Sequence, residues 1–126
     1  FKGEVPRDVN ELKRLSGVGD YVASAVCCFA YDMPVPMIDT NIVRVIGRVF
    51  GLDITGEARR RADVRDAALA CLDQARHRTY HYALLDFGAL GCTARNPNCG
   101  DCLMNVGTLC EYFSTNVARI DQTAAR

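Results

Sequence analysis

Apolar residues recur at three- and four-residue steps through most of the chain, the period of α-helices with one buried face. A short helix is expected over Val9 to Leu15, after Pro6 and with Asp8 as its cap. Ser16-Gly17-Val18-Gly19 interrupts it with two glycines two apart. A second helix then runs from Asp20 to about Ala30, with Val22, Ala25, Val26 and Phe29 on its apolar face. Tyr31 to Pro36 is a proline-marked loop, and Asp39-Thr40-Asn41 supplies capping residues for a third helix. The buried stripe of that helix is Ile42, Val45, Ile46 and Val49, and Gly51 ends it. A longer helix is expected from Glu57 to about His77, with Val64, Ala68, Cys71, Leu72 and Ala75 on one face. Another runs from Tyr80 to Leu90, before a loop rich in Gly, Asn and Pro; residues after Phe113 read as a polar tail or short helix. Strand-like alternation and internal repeats are missing, so the pattern is all-α.

Length and charge narrow the picture. The chain has 126 residues and is 49% hydrophobic, which suits one globular unit. No run approaches the roughly 18 apolar residues of a membrane span, and no charged-then-apolar leader precedes a cleavage site. An intracellular, monomeric protein without membrane contact is expected. Phe1 leads straight into what reads as a late helix of a larger fold, as a fragment would. Fifteen basic and fifteen acidic side chains cancel, so any attraction to nucleic acid must be local. Arg59, Arg60, Arg61 and Arg65 gather at one helix start, against the helix dipole, and read as a solvated face.

Three features carry chemistry. The first is the hairpin Leu15-Ser16-Gly17-Val18-Gly19-Asp20-Tyr21, whose glycines permit a sharp turn and close approach of another backbone, with amides free for a phosphate. A turn that merely joins two helices needs similar residues, so this feature alone leaves both readings open. The second is a cysteine array. Of seven cysteines, Cys27, Cys28 and Cys71 fall in apolar helical patterns, where the thiol acts as a small hydrophobe. Cys92, Cys99, Cys102 and Cys110 crowd into one loop with spacing C-x6-C-x2-C-x7-C. Four thiolates there can enclose a [4Fe-4S] cluster or a zinc ion, and spacing by itself does not separate the two. The third is Asp39, at the entry to a helix about twenty residues past the hairpin, which reads as an N-cap or as a carboxylate at a cleft.

Taken in this order and spacing, the three features resemble the endonuclease III superfamily of helix-hairpin-helix DNA glycosylases. The matching residues are Leu15-x-Gly17-Val18-Gly19, then Ile38-Asp39-Thr40-Asn41 with Arg44 and Val45, then Cys92 through Cys110. The resemblance implies that residues 1–36 form the C-terminal part of a six-helix barrel with its hairpin, and 37–113 a helical [4Fe-4S] cluster domain, leaving 114–126 as a tail. It implies Asp39 and Tyr21 at the catalytic centre, and Gly17, Val18, Gly19, Arg44 and Arg95 at the DNA. Cys92, Cys99, Cys102 and Cys110 become the cluster ligands, with zinc as the alternative.

Bifunctional members carry a lysine where this chain has Tyr21. A phenol cannot form an imine, so the resemblance is to the monofunctional branch, in which water attacks and an abasic site is left. Leu84 to Ala89 and Leu109 to Phe113 look more like the thymine branch, acting on T:G in double-stranded DNA, than like the adenine branch, acting opposite G or oxidised G. A non-catalytic DNA-binding module and a zinc-stabilised interaction domain are the rivals of another class. Three positions depart from the pattern: Ser16 replaces a common Pro, Asp20 stands where a neutral or basic residue is frequent, and the last cysteine gap is seven residues where five is usual. A bulge around Gly107 is the expected way to absorb the longer gap.

Overall fold

The structure, a computed structural model, describes residues 1–117. Helix α1 spans Val9–Leu12, and Asp8 caps it: Oδ1 accepts the N–H of Asn10 at 2.9 Å and of Glu11 at 3.0 Å. The helix stops short of Leu15 because Arg14 and Leu15 donate three residues back, to Glu11 and Leu12, tightening the last turn. The hairpin turn follows, with Gly17 at φ 80°, a left-handed conformation that a side chain would strain.

Helix α2, Asp20–Ala25, continues as a π-helical turn over Val26–Ala30. Its buried residues are Ala23, Cys27 and Cys28, whereas Val22 of the expected face is 44% exposed and Ala25, Val26 and Phe29 are half-buried. Nearly every position from Val22 to Phe29 is apolar, so periodicity offers no preferred face and the neighbouring helices choose it.

Helix α3, Thr40–Phe50, starts at Asp39, whose Oδ1 accepts the Ile42 N–H at 2.7 Å, and ends at Gly51 with φ 66°. A Cβ at Gly51 would stand 2.7 Å from Glu111 Cγ, so the close approach of the C-terminal segment also requires glycine. Ile42, Val43, Val45, Ile46 and Gly47 are buried, and Val49 is half-buried.

The single helix expected from Glu57 to His77 is broken twice. A 3-10 turn, Ala58–Arg60, precedes α4, Ala62–Cys71, because Arg61 is extended. Leu72 is extended as well, and Asp73 Oδ1 takes the N–H groups of Ala75 and Arg76 at 3.1 and 3.0 Å. That local bond competes with the helical ladder. Ala75 is accordingly exposed, while Val64, Ala68 and Leu72 are buried. Helix α5, His77–Asp86, starts earlier than the apolar pattern implied and runs into a second π-helical turn, Phe87–Gly91. Beyond the cysteine loop come a 3-10 stretch, Leu103–Thr108, and a π-helical turn, Phe113–Val117; the rest of the expected tail lies outside the described residues. The longer last cysteine gap is thus filled by a 3-10 stretch rather than a bulge.

Two apolar clusters hold this together. Leu12, Ala23 and Cys27, with Val18 against them, pack α1 on α2 and so fix the hairpin. Cys28, Met37, Ile42, Val43, Ile46, Ala58 and Val64 pack the end of α2 against α3 and α4. The second cluster takes residues from both sides of position 36, and Tyr21 and Ile38 lie on its edge. Among the described residues there is no strand, and no helix is long and apolar enough to cross a membrane.

Candidate functional site

Tyr21 and Asp39 come together. Tyr21 sits in the first turn of α2, directly after the hairpin, and Asp39 at the N-terminus of α3. The Tyr21 hydroxyl titrates above its usual range, chiefly because of burial and also because the Asp39 carboxylate is near. Both side chains are half-buried. The carboxylate is therefore neither sealed in the interior nor remote from the glycine turn. Its Oδ1 is engaged in the helix cap, which orients the group and leaves Oδ2 available.

An open cleft of about 460 Å³ runs beside this pair. Gly19, Asp20 and Tyr21 line one side, Ile38 with Val35 and Pro36 another, and Arg59, Arg60 and Arg65 a third. Asp39 follows Ile38 directly but is not itself among the lining residues. Three of the arginines expected on a solvated face, Arg59, Arg60 and Arg65, are exposed and line this cleft, while Arg61 is paired with Asp53 and Asp63. Asp20, the acidic departure in the hairpin, is ion-paired to Lys13 and held below the usual carboxylate range, first by that hydrogen bond and further by Arg60 and Arg65. Its charge is compensated locally, so the cleft mouth is net basic.

The hairpin glycines differ in their requirements. Gly17 is held by its positive φ, whereas Gly19 has φ −93°, open to any residue, and a Cβ there would meet nothing within 4 Å. Neither backbone nor packing within the chain calls for glycine at 19. Both glycines are exposed, and half-buried Val18 anchors the turn on the α1–α2 cluster.

The four loop cysteines line one cavity, walled by Val49, Phe87, Pro97, Met104 and Phe113. All four thiols are free. Burial, then the charges of Cys102, Cys110 and Cys92, push the Cys99 thiol up, against a smaller opposite pull from Arg48. The turn from Cys99 to Cys102 is clasped by Asn105, whose Nδ2 donates to the carbonyls of Cys99 at 2.7 Å and Gly100 at 3.0 Å. The donor set fits an iron–sulfur cluster: four soft thiols from one short loop, in an apolar pocket.

Two arginines of α3 tie this loop down. Arg44 donates through Nε to the Cys92 carbonyl at 2.9 Å, through Nη2 to the Gly88 carbonyl at 2.6 Å, and through Nη1 to Asn41 Oδ1 at 2.9 Å. Expected at the DNA, it is instead engaged inside the chain. Arg48, one turn on, donates to the Thr93 carbonyl at 2.6 Å and the Ala94 carbonyl at 3.1 Å, approaches Cys92 Sγ at 3.4 Å, and covers the Tyr112 ring. Sequence reasoning missed Arg48; the signal was its place four residues after Arg44, on the same helix face. Arg95 keeps an exposed side chain at the loop tip.

Known proteins resemble this chain in sequence and fold. Residues 92–105 match the family model described as the iron-sulfur binding domain of endonuclease III. An adenine DNA glycosylase of Mycolicibacterium smegmatis is 46% identical over 102 residues, covering 78% of this chain and 33% of the relative. A solved thermostable thymine-DNA glycosylase superposes with a TM-score of 0.77 at 33% identity, covering 90% of this chain and 51% of that one. Endonuclease III, trapped as a covalent intermediate with DNA, gives a TM-score of 0.75 at 28% identity over 92% of this chain and 52% of its own. The chain therefore spans between a third and about half the length of these three proteins. The cysteine loop is an iron–sulfur site, and the helical fold is that of helix-hairpin-helix glycosylases.

Proposed function

We propose that this chain, which belongs to the endonuclease III-like helix-hairpin-helix superfamily, supplies the catalytic carboxylate and the DNA-holding hairpin of a monofunctional DNA glycosylase. The observation that carries the reading is the nearness of Asp39 to Tyr21, beside an arginine-rimmed cleft that starts at the glycine turn. On this reading residues 1–36 belong to the six-helix barrel and 37–113 to the cluster domain, with Asp39 where they meet.

A base stacked in a duplex is out of reach, so the target nucleotide leaves the helix at a cost of a few kcal/mol, least for a mispair. The Gly17-Val18-Gly19 turn holds the neighbouring phosphate, and the open space over Gly19 lets the DNA backbone approach without a side chain between. As the glycosidic bond breaks, its electron pair leaves with the base and positive charge develops on the deoxyribose. The Asp39 carboxylate stabilises that charge and takes a proton from the water that attacks C1′. The departing base takes up the proton that Asp39 removed from water, through solvent, and leaves neutral, with an abasic site behind. Tyr21 borders the reacting sugar but offers no amine, so no covalent adduct forms and the strand is not cut.

The cluster, when bound, orders the loop. Arg44 and Arg48 fasten the same loop to α3, the helix that begins at Asp39, and Arg95 at the tip meets phosphate.

Thymine opposite guanine is the substrate favoured by the Leu84 to Ala89 and Leu109 to Phe113 segments, in keeping with the superposition on a thymine-DNA glycosylase. Adenine is the second reading, supported by the 46% identity to an adenine DNA glycosylase. The deciding experiment incubates the protein with end-labelled T:G and A:oxoG duplexes and cleaves abasic sites with alkali. Alkali-dependent breaks at the T or the A identify the base; no break in either duplex overturns the glycosylase reading.

A further inference from the structure

Behind the cleft lies a buried polar cluster that base release does not use. Cys28 is fully buried, His81 is 1% exposed and His77 5%. The ring protons follow from two partners that have no choice, the Met37 N–H as donor and the Asp32 carboxylate as acceptor. The Met37 backbone N–H can only donate, and it meets His81 Nε2 at 3.1 Å, so Nε2 is the unprotonated ring nitrogen. The ring proton therefore sits on Nδ1, which donates to the His77 carbonyl at 2.8 Å and has Cys28 Sγ 3.4 Å away. On His77, Nε2 donates to Asp32 Oδ1 at 3.0 Å, leaving Nδ1 to accept the Cys28 S–H at 3.3 Å. Asp32 is steadied in turn by Arg78, whose Nε lies 3.4 Å from the same oxygen and 3.4 Å from the Cys28 carbonyl.

We propose that His81 is a positioning residue for Asp39: by accepting the Met37 N–H it fixes the chain two residues ahead of the carboxylate, and Cys28, His77 and Asp32 keep its ring in the one tautomer that can accept. The segment has little else to hold it. Among the described residues, Pro36 to Ile38 makes no other hydrogen bond, and Asp39 is next tied only where α3 begins. Met37 itself is 1% exposed, so water cannot replace the imidazole. Adding a proton to Nε2 would turn the acceptor into a donor facing another donor and release the segment. The groups facing His81 are the His77 ring, the Cys28 thiol and the edge-on Tyr80 ring, with Asp32 and Arg78 one residue further out. Burial, foremost, lowers the proton affinity of His81 from its usual 6.5, with the His77 ring in the same direction and the His77 carbonyl opposing. The tie therefore holds at neutral pH and is lost in acid.

The inference rests on Asp39 being the catalytic group, and its test separates the two. In the full protein, single-turnover base release and duplex affinity are measured from pH 5 to 8 for wild type, Asp39→Asn, His81→Phe and His81→Gln. Glutamine can still accept the Met37 N–H and does not titrate; phenylalanine can do neither. Expected are a loss of about ten- to a hundredfold in rate for His81→Phe with duplex affinity within about twofold, up to the scale of a catalytic group misplaced by about 1 Å. His81→Gln recovers most of that rate and loses the acid limb of the wild-type profile. Equal rates for His81→Phe and wild type, or equal damage in both His81 variants, overturn the proposal. If His81→Phe does not fold, retention of the acid limb in His81→Gln overturns it by itself. Wild type and Asp39→Asn releasing base alike would instead bring down the assignment of Asp39, and the positioning role with it.

Discussion

The Ile42 amide donates to Asp39 Oδ1 at 2.7 Å, so the carboxylate proposed for catalysis is also the cap of α3. Stability and chemistry meet in one side chain, and they can be separated. Asparagine caps a helix about as well as aspartate but carries no charge. Asp39→Asn should keep its melting temperature within about 2 °C, hold duplex affinity, and lose roughly 10²–10³ in base release. Asp39→Ala should lose the same activity and about 1 kcal/mol of stability besides. Calorimetry with single-turnover assays checks both; full activity in Asp39→Asn would rule out the mechanism.

On the proposed mechanism, Tyr21 borders the sugar on which Asp39 acts. Tyr21→Lys should therefore gain a covalent step, seen as a borohydride-trapped protein–DNA adduct and as strand breaks without alkali. Failure to trap any adduct, in a variant that still binds the duplex, would mean that position 21 does not border the sugar.

The arginine-rimmed cleft gives the nucleic-acid reading a measurable signature. Removing a side chain that neutralises one phosphate lowers the slope of log affinity against log salt by about 0.9. Arg59→Ala with Arg65→Ala should flatten that slope by between one and two such steps, while Gly19→Ser, a good cap with an intruding side chain, should weaken binding about tenfold at unchanged stability. A salt slope untouched by the double arginine change would return these residues to the solvated face.

Arg44 donates to Asn41 on its own helix and ties α3 to the Gly88 and Cys92 carbonyls with two further hydrogen bonds. Hydrogen bonds from a charged donor contribute about 1.5–3 kcal/mol each, so Arg44→Ala should destabilise the protein by several kcal/mol and lower its iron content. Purified wild type should be brown, with iron and acid-labile sulfide in equal amounts; stoichiometric zinc in their place would contradict the iron–sulfur assignment. Cys102→Ser should lose the colour.

Because burial disfavours protonated His81, the unfolded chain binds that proton more readily than the folded one. The contribution of His81 to stability is complete above its ordinary 6.5 and shrinks as pH falls below it. Denaturant melts at about pH 7.5 and about pH 5, on either side of that value, should show a lower midpoint in acid, and His81→Gln should reduce the difference. An unchanged pH dependence in that variant would place the titrating group elsewhere.

What could be read from the chain was local. Asp8 and Asp39 as caps, Gly51 as a helix stop, the glycine turn and the crowded cysteines each depend on residues a few positions apart, and local bonds obey spacing. The break at Asp73 was local too, yet one aspartate taking two amides is not distinguished by sequence from one on a helix surface. The buried face of α2 was beyond reach, since an almost wholly apolar helix lets its neighbours decide. Likewise Arg48 beside Cys92, or Cys28 between His77 and His81, joins residues more than forty positions apart. Periodicity carries which residues prefer to be buried, and only the packing of separate helices decides which buried groups meet.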